Sequence, residues 1–89
     1  MRKLDPNIIV SNLTAMFPEI TSIRRYGDTQ VHLGNAAEGG MIKELPAADY
    51  YGEFTGGYPY IHPDLKEAVE GMGYHIEWYD PGTLIAYQD

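Results

Sequence analysis

The amino-acid sequence predicts one α+β domain, residues 1–89, in which two helices cover one face of an antiparallel sheet of about four to five strands. Three observations support this two-layer prediction. The chain has 89 residues, which is the size of a single domain. Two segments carry apolar residues at helical spacing, and each precedes two strand-like segments separated by a turn containing Gly. The predicted order is helix, hairpin, irregular middle, helix, hairpin.

The first helix is predicted to begin at Asp5 and Pro6 and to end near Met16. The Asp5 side chain offers an acceptor at the cap position, and Pro6 suits the first helical position. Pro18 prevents the helix from continuing. The apolar residues between these signals form a single stripe at helical spacing, and they are Ile9, Leu13, Met16 and Phe17.

Residues 20–33 favour a hairpin, because a Gly-Asp pair separates two runs of strand-forming residues. A two-residue loop would place Ile23 on the face opposite Val31 and Leu33. A three-residue loop pairs Ile23 with Leu33 and Arg25 with Val31, which keeps the apolar side chains together. We therefore predict the longer loop or a bulge.

Residues 34–62 are predicted to form an irregular connection that contains two short strands, Met41–Leu45 and Tyr50–Phe54. The second helix is predicted to begin with Pro63 at its first helical position and to stop at Gly73. Its apolar stripe at helical spacing comprises Leu65, Ala68, Val69 and Met72.

The last hairpin is predicted over residues 74–87, with a turn that contains Pro and Gly. Pairing Trp78 with Ile85 and Ile76 with Tyr87 would collect four large side chains on one face of the sheet. This register would leave the alternate residues on the opposite face, and they are His75, Glu77 and Tyr79.

Composition excludes several kinds of site and location. The chain has no cysteine, so it forms neither a disulfide nor a thiolate metal site. No segment reaches the roughly 20 apolar residues that a membrane-spanning helix needs. At the start of the sequence, charged residues and Pro6 precede any hydrophobic run, which is unlike a signal peptide. We therefore expect a cytoplasmic protein that has no membrane partner.

The formal net charge is −7, and it is distributed unevenly. Residues 1–37 carry four basic and three acidic side chains, whereas residues 38–89 carry two basic and ten acidic side chains. A field of this sign repels nucleic-acid phosphates and attracts basic surfaces. Arg24 and Arg25 point to opposite faces of a strand and do not make a basic patch. Direct nucleic-acid binding is thus disfavoured, and the charge serves either solubility or binding to a basic protein.

The sequence contains no recognisable catalytic, cofactor or metal motif. His75 and Glu77 alternate on one strand face. Together with His62 or Asp64 they make a possible ligand set, but such spacing is common by chance. The Gly-rich segment 34–40 is not followed by the Gly-Lys-Ser/Thr of a phosphate-binding loop. We predict a protein that is not an enzyme and has no cofactor or metal, with a small metal-dependent enzyme as an alternative.

The stretch from Asp49 to Pro63 is the strongest indication of function. It contains five of the eleven Phe, Trp and Tyr residues in the chain, and tyrosine interleaved with glycine is typical of recognition surfaces. The same tyrosines are equally suited to a packed core. With the neighbouring acids, this stretch predicts a partner-binding surface that comprises Asp49, Tyr50, Tyr51, Glu53, Tyr58, Tyr60, Asp64, Glu67, Glu70, Glu77 and Asp80.

These observations predict a small acidic module that binds protein. It would inhibit a partner by occupying a basic site that normally holds DNA or RNA, as a DNA mimic does. In size, charge and lack of cysteine, the chain is similar to small acidic proteins encoded by phages and mobile elements, anti-CRISPR proteins among them. The alternative is a structural or assembly protein that forms a homodimer or larger oligomer through the tyrosine stretch.

Overall fold

The computed structural model describes residues 4–50 and 60–89. Most of the predicted strand Tyr50–Phe54, and the predicted binding residues Tyr51, Glu53 and Tyr58, lie outside these ranges. The elements in chain order are α1 (Pro6–Met16), β1 (Ile23–Arg25), β2 (Gln30–Leu33), β3 (Met41–Ile42), β4 (Leu45–Pro46), β5 (Ala48–Asp49), β6 (Tyr60–Ile61), α2 (Pro63–Gly71), β7 (Tyr74–Asp80) and β8 (Thr83–Gln88).

Four strands form the main antiparallel sheet in the order β1, β2, β8, β7. The other four make two small sheets, β3 with β4 and β5 with β6. Both helices pack on the same face of the main sheet, because their buried side chains share one core with it. The predicted α+β architecture with two helices is confirmed. The hairpins are adjacent because β2 pairs with β8.

The hydrophobic core lies between the helices and this face of the sheet. The connection between β2 and α2 also contributes to it through four small or branched side chains. The buried residues of the core are Ile9, Leu13, Phe17, Ile20, Ile23, Val31, Leu33, Ala36, Ile42, Ala47, Ala48, Leu65, Val69, Tyr74, Leu84 and Ala86. The irregular middle of the chain is therefore packed against the same core as the regular elements.

Helix α1 begins and ends where the sequence predicts. The Asn7 backbone N–H donates to Asp5 Oδ1 at 2.8 Å, and Pro6 is the first helical residue. Ile9 and Leu13 are buried, but Met16 is 54% exposed. The prediction that Met16 belongs to the buried stripe is wrong. Met16 is the last residue of the helix, and the buried apolar side chain at this end is that of the C-cap, Phe17.

The register of the first hairpin is the one that the apolar pattern favours. Ile23 pairs with Leu33, and Arg25 pairs with Val31. The Tyr26 N–H donates to the Gln30 carbonyl at 2.8 Å and closes a three-residue loop. The longer-loop prediction is confirmed because only this register brings the buried side chains of both strands onto one face.

The predicted strand Met41–Leu45 is instead a miniature hairpin, β3 with β4. Its two turn residues, Lys43 and Glu44, have φ values of 49° and 72°. Tight turns of this kind usually contain Asn or Gly, since these residues adopt positive φ most readily. Lys-Glu carries no such signal, and this explains why the single-strand prediction was wrong.

The last hairpin is present, but its predicted register is wrong by one residue. Trp78 pairs with Leu84 and Ile76 pairs with Ala86, and a bulge lies between Trp78 and Asp80. A one-residue shift exchanges the two faces of a strand. The prediction places Ile85 and Tyr87 of β8 on the same face as Ile76 and Trp78. They lie instead on the opposite face of the sheet, with His75 and Glu77.

Helix α2 follows its prediction closely. Pro63 is its first residue, Leu65 and Val69 are buried, and Gly73 has a φ of 83° just after the helix. Its cap is the side chain of His62, which the sequence does not predict. The Nδ1 of this side chain accepts a hydrogen bond from the Asp64 N–H at 3.1 Å. Within residues 4–50 and 60–89, neither helix is long and apolar enough to span a membrane.

Candidate functional site

The turn between β3 and β4 lies between the helix α2 and a cavity. Lys43 Nζ is 3.1 Å from Asp64 Oδ2, so the turn is tied to the first turn of α2. The neighbouring residue Glu44 is exposed and lines the cavity. Among the described residues, no basic side chain forms an ion pair with Glu44. This turn therefore joins two acidic regions of the surface.

The cavity has a volume of about 520 Å³. Its walls are largely apolar, and the polar side chains that line it include the carboxylates of Glu44 and Asp49. No basic side chain is found among the described residues that line it, which are Ala37, Gly39, Gly40, Met41, Glu44, Leu45, Pro46, Ala48, Asp49, Tyr50 and Pro81. We call this the acidic cavity, and its chemistry suits a ligand that is both cationic and apolar.

The turn between β7 and β8 brings two further carboxylates to the rim of the acidic cavity. Asp80 Oδ1 accepts a hydrogen bond from the Gly82 N–H at 2.9 Å. The Glu38 carboxylate also lies close to Gly82, since a Cβ at this glycine would be 2.9 Å from Glu38 Oε1. Pro81, which lies between Asp80 and Gly82 in the sequence, lines the cavity itself. Glu38 and Asp80 thus add negative charge at its edge.

The predicted residues Asp49, Tyr50 and Tyr60 lie together beside the acidic cavity. Asp49 is 9% exposed and pairs with Tyr60 across β5 and β6. The ring of Tyr50 meets Trp78 edge to face, with centroids 5.2 Å apart. Tyr50 and Tyr60 are both half-buried. Tyr50 and Tyr60 therefore have one side against the domain and another toward solvent.

Helix α2 extends the acidic region. Glu67 follows Asp64 by one turn, so the two side chains lie on the same side of the helix. Glu70 follows one turn later and is also exposed. Because Lys43 connects Asp64 to the turn that carries Glu44, the carboxylates form one continuous region. We define the acidic face as Glu38, Glu44, Asp49, Asp64, Glu67 and Asp80.

The predicted residue Glu77 lies apart from the acidic face. It pairs with Ile85 on the side of the sheet that the helices do not cover. The structure thus brings Asp49, Tyr50, Tyr60, Asp64, Glu67 and Asp80 into one region. It leaves Glu70 one helical turn beyond that region on α2, and Glu77 elsewhere. Glu38 and Glu44 were missed, because one lies in a segment predicted to be irregular and the other in a predicted strand. Their only sequence signal is the excess of acids after residue 37.

His75 is held between two carboxylates on the uncovered sheet face. Its Nδ1 is 2.5 Å from Asp89 Oδ1, and its Nε2 is 2.7 Å from Glu77 Oε2. Both ring nitrogens can donate only when the imidazole is protonated. The hydrogen bond to Asp89 and then the one to Glu77 therefore raise the pKa of His75. Tyr87 stacks on the imidazole with the ring centroids 5.8 Å apart.

We expect His75 to make folding stability depend on pH. Its folded-state pKa is above the ordinary value of 6.5, so its stabilisation is complete below that value and is lost as pH rises through the folded-state pKa. Denaturant unfolding of the wild type and His75→Gln, at about pH 5.5 and about pH 8.5, measures this effect. The difference in unfolding free energy between the two proteins should be larger at the lower pH. Equal differences would contradict the assignment.

His32 responds to pH in the opposite sense. Its Nδ1 accepts a hydrogen bond from the Gly34 N–H at 3.0 Å, and acceptance requires that nitrogen to be unprotonated. Burial, and then the charge of Arg24, lower the pKa of His32. Stability from this site is present above pH 6.5 and falls as pH falls through the depressed pKa. The comparison of wild type with His75→Gln cancels this effect, because both proteins contain His32.

The described residues contain no group of three His, Asp or Glu side chains that is arranged to hold a metal ion. His75 contacts Glu77 and Asp89 through opposite ring nitrogens, so the two carboxylates do not converge on one point. His62 caps α2 and is buried beside the core. The four candidate ligands considered from the sequence therefore do not form one site.

Comparisons with family models, curated proteins and solved structures give no match to this chain. The acidic face and its cavity are the region where charge, concave shape and predicted binding residues coincide.

Proposed function

We propose that the protein is a non-enzymatic binding module that inhibits a partner protein by occupying its basic site. The observation that carries this proposal is the acidic face, in which four carboxylates line or border the cavity and two more lie on α2. Lys43 and Lys66 are the only basic residues from 38 to 89, and Lys43 is already paired with Asp64. The region therefore has a strong excess of negative charge.

Such a surface attracts a basic partner over a distance and orients it before contact. Basic sites on proteins commonly hold DNA or RNA through phosphate contacts. Carboxylates presented on a rigid domain take the place of those phosphates and exclude the nucleic acid. This supports a DNA mimic of the general kind found among anti-CRISPR and other phage-encoded inhibitors. Glu77 lies on the opposite side of the sheet and is not part of the proposed surface.

The proposal predicts a salt-sensitive complex with a basic protein that handles nucleic acid. Immobilised protein is incubated with a nuclease-treated lysate, washed at rising salt, and the released proteins are identified by mass spectrometry. The purified partner is then rebound in the presence of duplex DNA or RNA. We expect affinity to fall by at least about 10-fold between roughly 0.05 M and 0.5 M NaCl, and nucleic acid to compete.

Charge-matched variants locate the surface. Glu44→Gln with Glu67→Gln removes two charges from the acidic face, while Glu19→Gln with Asp28→Asn removes two charges from exposed positions elsewhere. The first double variant should weaken partner binding by about 10-fold or more, and the second by less than about 2-fold. Equal weakening would show that net charge alone is responsible. Concentration-dependent self-association without a salt-sensitive partner would instead support the assembly alternative and overturn the proposal.

A further inference from the structure

We infer that the acidic cavity binds an arginine side chain presented by the partner. This inference rests on the proposed function, because it names the group that the acidic face recognises. The cavity is the concave part of that face, and its volume of about 520 Å³ is within the range of about 300–1,000 Å³ that is usual for ligand sites. It has room for one long side chain and part of the backbone that carries it.

The walls of the cavity match the two parts of an arginine side chain. Met41, Leu45 and Pro46 provide apolar surface for its methylene groups. Glu44 and Asp49 provide the negative charge that a guanidinium group needs. A purely apolar ligand would remove part of the hydration of the Glu44 carboxylate and supply no cation in return, so the cavity selects against it.

Arginine fits this lining better than lysine does. A guanidinium group is planar, donates two parallel hydrogen bonds to a carboxylate and stacks on aromatic rings. The lining contains both kinds of partner, in the carboxylate of Glu44 and the ring of Tyr50. Lysine would present a compact, strongly hydrated charge that uses neither the planar geometry nor the ring as fully.

The backbone at Glu44 indicates that its position serves binding rather than stability. Its φ of 72° lies in the left-handed region, which glycine adopts freely and Asn or Asp less readily. Glycine would fit this turn better, yet the position carries a carboxylate that lines the cavity. Strained backbone of this type often occurs at functional sites. Glu44→Gly should therefore raise the melting temperature while weakening arginine binding, whereas a purely structural role predicts that both fall together.

The test uses N-acetyl-L-argininamide as the probe and N-acetyl-L-citrullinamide as its neutral isostere. Backbone amide shifts of Gly40 and Ala48 report binding at the cavity, and both residues line it. Fluorescence of Trp78, the single tryptophan, gives a second signal because its ring contacts Tyr50. We expect saturable changes with the arginine probe and at least about 10-fold weaker binding of the citrulline probe.

Single variants complete the experiment. Glu44→Gln should weaken binding of the arginine probe by about 10-fold, whereas Glu19→Gln, which removes the same charge outside the cavity, should change it by less than about 2-fold. Equal binding of both probes, equal loss in both variants, or shifts confined to other parts of the domain would overturn the inference. A lysine probe that binds as tightly as the arginine probe would also overturn it.

The same variants separate this inference from the proposed function. If a salt-sensitive partner binds wild type and Glu44→Gln equally well, the arginine site is wrong while the binding function stands. If no basic partner binds but the arginine probe still shifts the cavity amides, the cavity assignment stands and the proposed function fails. Each result therefore decides one of the two questions.

Discussion

Replacing Gly34 with Ala is expected to destabilise the domain by about 3 kcal/mol. Gly34 has a φ of 59°, and a Cβ at this position would lie 1.8 Å from the backbone oxygen of Thr21. The close approach is fixed by two hydrogen bonds, from Asn35 N to Thr21 O at 3.1 Å and from Thr21 N to Asn35 Oδ1 at 2.9 Å. The new methyl group must therefore separate the entry to β1 from the exit of β2. Thermal unfolding followed by circular dichroism should show a melting temperature lower by roughly 15 °C.

Gly27→Ala is the matched control for this substitution. Gly27 also has a positive φ, 91°, but nothing lies within 4 Å of the position that its Cβ would occupy. The control therefore isolates the backbone cost, which is about 1 kcal/mol. If the two variants lose equal stability, the close approach at Thr21 has no energetic consequence and the explanation for Gly34 is incorrect.

Much of the fold was predictable because its signals are local. Asp5-Pro6 and Pro63 mark the starts of the helices, and the buried residues of each helix follow at a spacing of four. The first hairpin register was predictable because Ile23 has to share a face with Leu33. These signals each involve neighbouring residues or a strand with one buried face, so a single sequence is sufficient to interpret them.

The second hairpin shows where local signals are insufficient. Its register depends on the bulge between Trp78 and Asp80, which inserts a residue that no pattern in the sequence marks. Both faces of β8 carry large apolar side chains, since Leu84 and Ile85 are each buried on opposite sides. Apolar alternation therefore does not distinguish the two registers. The packing of the whole sheet decides between them.

The candidate site was predictable in composition but only partly in geometry. The excess of acids after residue 37 is evident from the sequence, and it is sufficient to predict Asp49, Asp64 and Asp80 as binding residues. Glu44 was missed because it depends on a turn formed by Lys-Glu at positive φ. Glu38 was missed because it reaches the site through a contact with Gly82, which is distant in sequence. Long-range contacts of this kind leave no periodic signal.

Tyr74→Ala is expected to cost about 4 kcal/mol of stability, the largest loss for a single truncation in the core. Tyr74 is fully buried and is the largest of the fully buried side chains. Its hydroxyl donates to the Leu4 carbonyl at 2.8 Å, which attaches the start of the chain to β7. A 4 kcal/mol loss is a large share of the roughly 4–13 kcal/mol expected for a domain of this length. Urea denaturation should show a much lower midpoint with an unchanged slope.

Tyr74→Phe separates the hydroxyl group from the ring. This variant keeps the packing and loses the hydrogen bond to the Leu4 carbonyl and the longer one, 3.4 Å, from Gln88 Nε2. It should therefore cost about 1 kcal/mol near neutral pH. Burial raises the pKa of Tyr74 above its ordinary value of 10.0, so the stabilisation from its neutral hydroxyl is present below that pH and is lost as pH rises through the folded-state pKa. The wild type should therefore lose its advantage over Tyr74→Phe as the pH rises above 10.0. A constant difference over this rise in pH would show that the hydroxyl is not protected from ionisation.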